Sequence, residues 1–322
     1  MTLMQSYASL LVWPAIVALP LVLTTGDLYA YLFPASWYDA APRDFWNPPA
    51  GAAAGTAVAR PSPVGLVLGL AAVVVGQVFM LGYFIALRGG ILRAASTAST
   101  SAPASAVKSS AAKPASIQRE GAREYDLNEG LATHLGQPEG FVLLGGYLII
   151  SWMTGLMPAS YYSFSGGIDW PRVAAQLLVQ DFVQYCMHML EHKLDKRLYI
   201  LSHKPHHRFT NPRLFDAFNG SITDTVAMIL VPLIVTARVV DANVWTYMAF
   251  GSLYANWLTL IHSEYPHAWD GAFRRLGLGT AADHHVHHKV FKFNYGHLFM
   301  YWDRAFGTYK DPATVALFNK DV

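Results

Sequence analysis

Charge and cysteine are what this sequence has least of. Only 14% of its 322 residues are Asp, Glu, Lys or Arg, against about 25% in an ordinary soluble domain. A net charge of +2, with no basic run interleaved with aromatics, excludes a nucleic-acid binder of the electrostatic kind. The lone cysteine, Cys186, excludes an intrachain disulfide framework, which fits a site facing the reducing cytosol. Cys186 stands two residues before His188, a spacing that does not share a helix face, so it reads as packing and not as a thiolate ligand.

Apolar length is what the sequence has in excess. Hydrophobic residues make up 53%, and the mean hydropathy is +0.26. A helix crossing hydrocarbon needs about 20 apolar residues. Leu10–Phe33, Val64–Leu87, Phe141–Tyr162 and a more polar Val173–Met189 fit, and Thr225–Val240 and Val244–Ile261 form a close pair. The first stretch lacks a basic flank and a small-residue cleavage site, so it reads as a retained helix and not a signal peptide. Residues 25–63 read as a lumenal loop, and the Ala/Ser-rich Ala94–Ser116 as a flexible linker. No longer internal repeat is evident.

Orientation follows from Arg88, Arg93, Lys108, Lys113, Arg119 and Arg123, which place the segment after the second span in the cytosol. Counting spans from there, Phe141–Tyr162 leads away, Val173–Met189 returns, and the last pair goes out and back. The spans therefore deliver His188, His192 and His262 to one cytosolic face.

Histidine carries the chemistry. Of thirteen histidines, His188 and His192 are spaced i, i+4. His203, His206 and His207 form His-x-x-His-His, His284, His287 and His288 repeat it, and His262 ends an apolar run. Such spacing turns two rings to one helix face, and neutral imidazole is the commonest biological metal ligand. Pro171 suits a first helical turn, and Pro205 marks a helix start, not an interior. Imidazole suits Zn, Cu, Fe and Ni alike. A lone hydrolytic zinc needs three protein ligands and an open position, so two metals argue for redox-active iron. The Glu-x-x-His pattern of carboxylate-bridged pairs is absent, since Leu194 follows Glu191 by three. The expected fold is an all-α polytopic membrane bundle with a cytosolic histidine-rich cap holding a dimetal site. Its expected divisions are N-terminal spans and linker over 1–140, a catalytic domain over 141–312 and a tail over 313–322.

Residues 175–312 resemble the fatty acid hydroxylase/sterol desaturase superfamily, and C-5 sterol desaturases (lathosterol oxidases) in particular. Beyond the histidines, the resemblance rests on Arg197-Leu-Tyr-Ile-Leu-Ser-His-Lys-Pro-His-His207, Ile261-His262, Phe293-Asn-Tyr-Gly296 and Tyr301-Trp-Asp-Arg-Ala-Phe-Gly-Thr-Tyr309. It implies two iron ions held by His188, His192, His203, His206, His207, His262, His284, His287 and His288. It also implies O2-dependent C-5 desaturation of a sterol. Electrons would come from NAD(P)H through a reductase and cytochrome b5, at the cytosolic face of the endoplasmic reticulum membrane. The same site serves hydroxylation of a sterol, terpenoid, fatty acyl chain or ether lipid. His267 is a candidate tenth ligand and His285 a weaker one, whereas His297 and His134 read as ordinary surface or packing residues.

Asn294, Asp303 and Arg304 are candidates for support, because metal-bound histidines usually donate their other N–H to a carboxylate or carbonyl. Asp181, Glu191, Asp224, Glu264, Asp283 and Asp303 are the available carboxylates, with Asp283 preferred. The chain departs from the family in three places. Ser221-Ile-Thr-Asp224 replaces a common His-Pro-x-Asp, Lys193 replaces a further histidine, and the third box has its extra histidine inside, at His285. Two other classes compete: a histidine-rich membrane metal transporter, whose ligands would lie near the bilayer midplane, and a zinc hydrolase, which would leave half the histidines unused. The C-terminal Asn319-Lys-Asp-Val322 is read as neither a lumenal retention tetrapeptide nor a full dilysine signal.

Overall fold

The computed structural model describes residues 64–100, 116–119, 126, 128–130, 138–217 and 219–319. The expected span Leu10–Phe33 and His134 lie outside them. Regular structure among the described residues is helical, apart from isolated bridges at Gln118–Phe318 and Leu278–Phe299. The longer helices are α1 (Val64–Thr100), α2 (Pro138–Met153), α3 (Trp170–Lys193), α4 (Lys196–Leu201), α5 (Ile222–Val239), α6 (Val244–Leu260), α7 (Asp270–Arg275), α8 (Ala281–Val290) and α9 (Tyr301–Ala305).

Among the described residues, α1 and α5 are long and apolar enough to cross a bilayer. Their outer faces support that reading. Val67, Val74, Val78, Phe79 and Ile85 on α1, and Ile222, Ile234 and Val239 on α5, are exposed, apolar side chains on each helix that water would penalise. The opposite face of α1 carries Leu68, Ala72, Met80, Phe84 and Leu87 at helical spacing, all buried and packed largely on α6. Gly76 makes that approach possible: a Cβ there would stand 2.6 Å from the Asn256 amide. Gln77 bonds across the seam to Asn256 and Thr259.

Two expectations change. Phe141–Tyr162 is not one span: α2 stops at Met153, Gly155 takes a positive φ of 73°, and Ala159–Tyr162 forms a separate 3-10 turn. Gly155 and Pro158 explain the break, since each disfavours helix continuation. The Ala/Ser-rich stretch is not a linker at its start, because α1 continues through Thr100; alanine is the best helix former. The chain just beyond it docks: Ile117 is fully buried and bonds to Glu264 and Asn319.

α3 sets the polarity of the bundle. Asp169 caps it by accepting from the Arg172 N–H, with Pro171 in the first turn. Gln176, Gln180, Gln184, His188 and His192 follow one another at four-residue spacing, one polar stripe on one face. The glutamines meet Tyr161, Thr236 and Tyr254 inside the bundle. At the start of α3, Val244 bonds to Ser163, Asn243 to Ser165 and Gly167, and Tyr161 to Val240. The α2–α3 and α5–α6 connections therefore share one end, and the histidines gather at the other, beside the C-terminal half of α1.

Candidate metal centre

Four elements bring the histidines together. The last turns of α3 supply His188 and His192. Asp195 caps α4 by accepting from Arg197 and Leu198 N–H groups, and the chain then turns through Pro205 into a short 3-10 segment, His206–Arg208. His262 follows α6. α8 begins with a capping box, in which Thr280 N–H and hydroxyl both donate to Asp283, and presents His284, His287 and His288 on one face.

The nine histidines form two groups. His188, His192, His203, His207 and His287 offer ligand atoms within 4.8 Å of one another, and so do His206, His262, His284 and His288. The groups adjoin, with the His207 and His288 ring centroids 4.8 Å apart. Eight of the nine rings are buried, and His192 is half-buried.

Hydrogen bonds fix which nitrogen faces inward. The Nδ1–H groups of His188, His287, His262 and His288 donate to the carbonyls of Tyr295, Phe293, Leu258 and Phe209 at 2.8–2.9 Å. Nδ1 of His203 pairs with Asp224 at 2.7 Å. A neutral imidazole that spends its proton at Nδ1 has only a lone pair at Nε2. Yet Nε2 of His188 and His203 face each other at 2.9 Å. Likewise, Nε2 of His284 stands 2.9 Å from that of His262 and 3.0 Å from that of His288, and can donate to at most one. His207 Nε2 is 3.0 Å from both His192 and His287.

Protonation does not relieve this crowding. Burial pushes His192 down to about 3 and His206 to about 4, with neighbouring imidazoles adding to the shift, and drives His207, His262, His284, His287 and His288 well below the ordinary histidine range. A cation at the centre of each group does relieve it. Metal–imidazole bonds of about 2.0–2.1 Å place two nitrogens at right angles about 3 Å apart, the spacing seen here. The donor set fits a nitrogen-bound metal pair.

The remaining candidates separate cleanly. His267 belongs to neither group: Nδ1 meets the Tyr83 hydroxyl at 2.7 Å, and Nε2 points to the Leu260 carbonyl. His285 lies on the other face of α8, between Gln118 and the Ser263 carbonyl. Cys186 is half-buried and in neither group. Asp283, the preferred carboxylate, caps α8 and touches no ligand ring, because a residue three past the cap is held by the helix start. The carboxylate against a ring is Asp224, with Glu191 3.5 Å from the same His203 nitrogen. Asp303 accepts from the Tyr295 and Gly296 N–H groups and from Thr308, and burial pushes its carboxyl up to about 6. Asn294 sits at a positive φ of 55° and ties Asp283 to Lys310. Both residues shape the turn whose Phe293 and Tyr295 carbonyls orient His287 and His188. Arg304 lies over the Tyr309 ring, away from the groups.

His297 lies close to both groups. It is 5% exposed, with its ring centroid 5.1 Å from His188 and 4.9 Å from His284. The signal in the sequence was position alone: it follows the Asn-Tyr-Gly turn that carries the supporting carbonyls. A cleft of about 450 Å³ opens beside the half-buried edge of the first group, lined by His192, Lys193, Tyr199, Phe291, Lys292 and Tyr295.

Comparisons with known proteins agree with this geometry. The fatty acid hydroxylase family model matches residues 173–308, which contain all nine histidines. The chain is 53% identical over 315 residues to an alternative squalene epoxidase of Phaeodactylum tricornutum, covering 97% of this chain and 82% of the relative. It is 34% identical over 159 residues to a cholesterol 25-hydroxylase-like protein of Danio rerio, covering 47% of this chain and 61% of the relative. It is 33% identical over 141 residues to a Delta(7)-sterol-C5(6)-desaturase of Nicotiana tabacum, covering 43% and 49%. No solved structure matches. With a family model over its histidine core and a relative matched almost end to end, the chain belongs to the fatty acid hydroxylase/sterol desaturase superfamily and is an oxidoreductase.

Proposed function

We propose that the chain is a membrane-bound diiron oxygenase that places one oxygen atom of O2 on a carbon–carbon double bond of a squalene-like isoprenoid. In this reading His188, His192, His203, His207 and His287 hold one iron, and His206, His262, His284 and His288 hold the other. The observation that carries the metal assignment is the confrontation of lone pairs at Nε2, which a cation removes. The substrate class is supported by the 53% identity, over 97% of the chain, to a relative named an alternative squalene epoxidase.

Bound iron would supply the reduction of O2. The balance is one O2, two electrons and two protons consumed for each epoxide and water formed. The work of the protein lies elsewhere. Carbonyls of Phe209, Leu258, Phe293 and Tyr295 hold the rings in one tautomer. Burial of the groups excludes bulk water. The exposed apolar faces of α1 and α5 seat the enzyme where its hydrocarbon substrate dissolves. Electrons would arrive from NAD(P)H through a reductase and cytochrome b5, and the membrane would be that of the endoplasmic reticulum, with the histidines at its cytosolic face.

C-5 desaturation of a sterol is the second reading, supported by the 33% identity to the Nicotiana tabacum desaturase across the histidine region. It starts from the same centre but leaves no oxygen in the product. Membranes containing the chain, given NAD(P)H, ¹⁸O₂ and either squalene or a Delta(7)-sterol, separate the two. Epoxide carrying one ¹⁸O per molecule is the expected outcome. Unlabelled C-5 unsaturated sterol with untouched squalene would replace it with desaturation.

A further inference from the structure

The two groups of histidines are unequal, five in one and four in the other. Three further described histidines are buried near them, and they differ in what their nitrogens do. His267 and His285 have protein partners at both ring nitrogens. His297 does not: its Nδ1 is buried and has no hydrogen-bond partner. Leaving such an atom unsatisfied costs roughly 1–3 kcal/mol.

The position of His297 is built. Asp181 on α3 accepts from three consecutive N–H groups, those of His297, Leu298 and Phe299, at 2.8–3.1 Å. This clamp fixes the backbone next to the metal groups and aims the ring between them. Its centroid lies 4.9 Å from that of His284. Within the group of four, His284 lies 4.3 Å from His262, 4.6 Å from His288 and 6.5 Å from His206. The His297 ring is thus within the range of centroid distances inside that group, while its nitrogens stand outside both sets of atoms that lie within 4.8 Å of one another.

We propose that His297 supplies a tenth imidazole to the centre, on the side of His284, so that each metal is served by five. The proposal rests on reading the two groups as metal sites. It accounts for the unequal groups, for a three-bond clamp at a position that is not a box histidine, and for a buried Nδ1 without a partner, a state His297 shares with His207 and His284 inside the groups.

The test uses the full-length chain purified in detergent and loaded with ⁵⁷Fe, as wild type, His297→Gln and His297→Ala. Gln keeps a polar side chain of similar reach, which guards against a loss caused by misfolding. Iron per chain, the Mössbauer spectrum and the rate of iron release to a chelator are read, with no dependence on turnover. The expected result is a changed signal from one iron of the two in both variants, with release of that iron on the order of 10–100-fold faster. Added imidazole should reverse the change in His297→Ala. Spectra and release rates that superimpose on wild type overturn this proposal alone. A wild-type protein without two irons overturns the reading beneath it as well.

Discussion

Asp224 Oδ1 stands 2.7 Å from Nδ1 of His203, the only ring of the nine that rests on a carboxylate among the described residues. The pair joins the start of α5 to the second histidine box. Ser221 reinforces the link by donating to the Ser202 carbonyl and accepting from the Asp224 N–H. Ser221 and Asp224 together hold the start of α5 against the loop that carries His203.

Removing the charge from this pair weakens the centre without emptying the space. Asp224→Asn is expected to lower iron affinity on the order of 10–100-fold, the usual effect of losing a partner behind a ligating histidine. Chelator competition on the purified protein measures it. An unchanged affinity would reduce Asp224 to a helix-start residue.

Acid is expected to destabilise the fold through His267 and His285, which lie outside both groups. Burial pushes each down to about 4, while an unfolded histidine titrates near 6.5. The unfolded chain therefore takes up protons that the folded chain refuses, and stability falls as pH drops from about 6.5 towards 4, by up to ~3 kcal/mol per ring. Protonation of His285 would also lose the bond its Nδ1 accepts from Gln118. Thermal melts across this pH range should show a flatter acid limb for the His267→Gln, His285→Gln double variant. A limb as steep as that of wild type would contradict this.

Lys193 and Lys292 rim the cleft beside His192. If electrons enter there from an acidic carrier, reversing both charges should raise the KM for the carrier by about 10-fold or more, with kcat nearly unchanged at saturation, because rim charges act mainly on encounter. The wild-type dependence should weaken with added salt. Steady-state assays with purified cytochrome b5 would show it, and an unmoved KM would place the docking face elsewhere.

The sequence announced much of this site because ligand chemistry leaves a local mark. Spacings of three and four residues fix which rings share a face. Partners fixed by tertiary contact were less legible. His203 meets Asp224 across 21 positions, a distance without periodic trace, whereas Asp283 is adjacent to its box in sequence. His297 is placed by Asp181, 116 residues away. The end of α2 was hidden because Leu156, Met157, Tyr161 and Tyr162 are apolar enough to extend a span, while Gly155 and Pro158 set the chain path.

The central claim is that nine imidazoles hold two irons, and elemental analysis of the purified chain tests it most directly. The account predicts two irons per polypeptide, with at least one lost in His206→Ala and in His287→Ala although both variants remain folded. A single zinc per chain, or two irons retained in full by both variants, would contradict it.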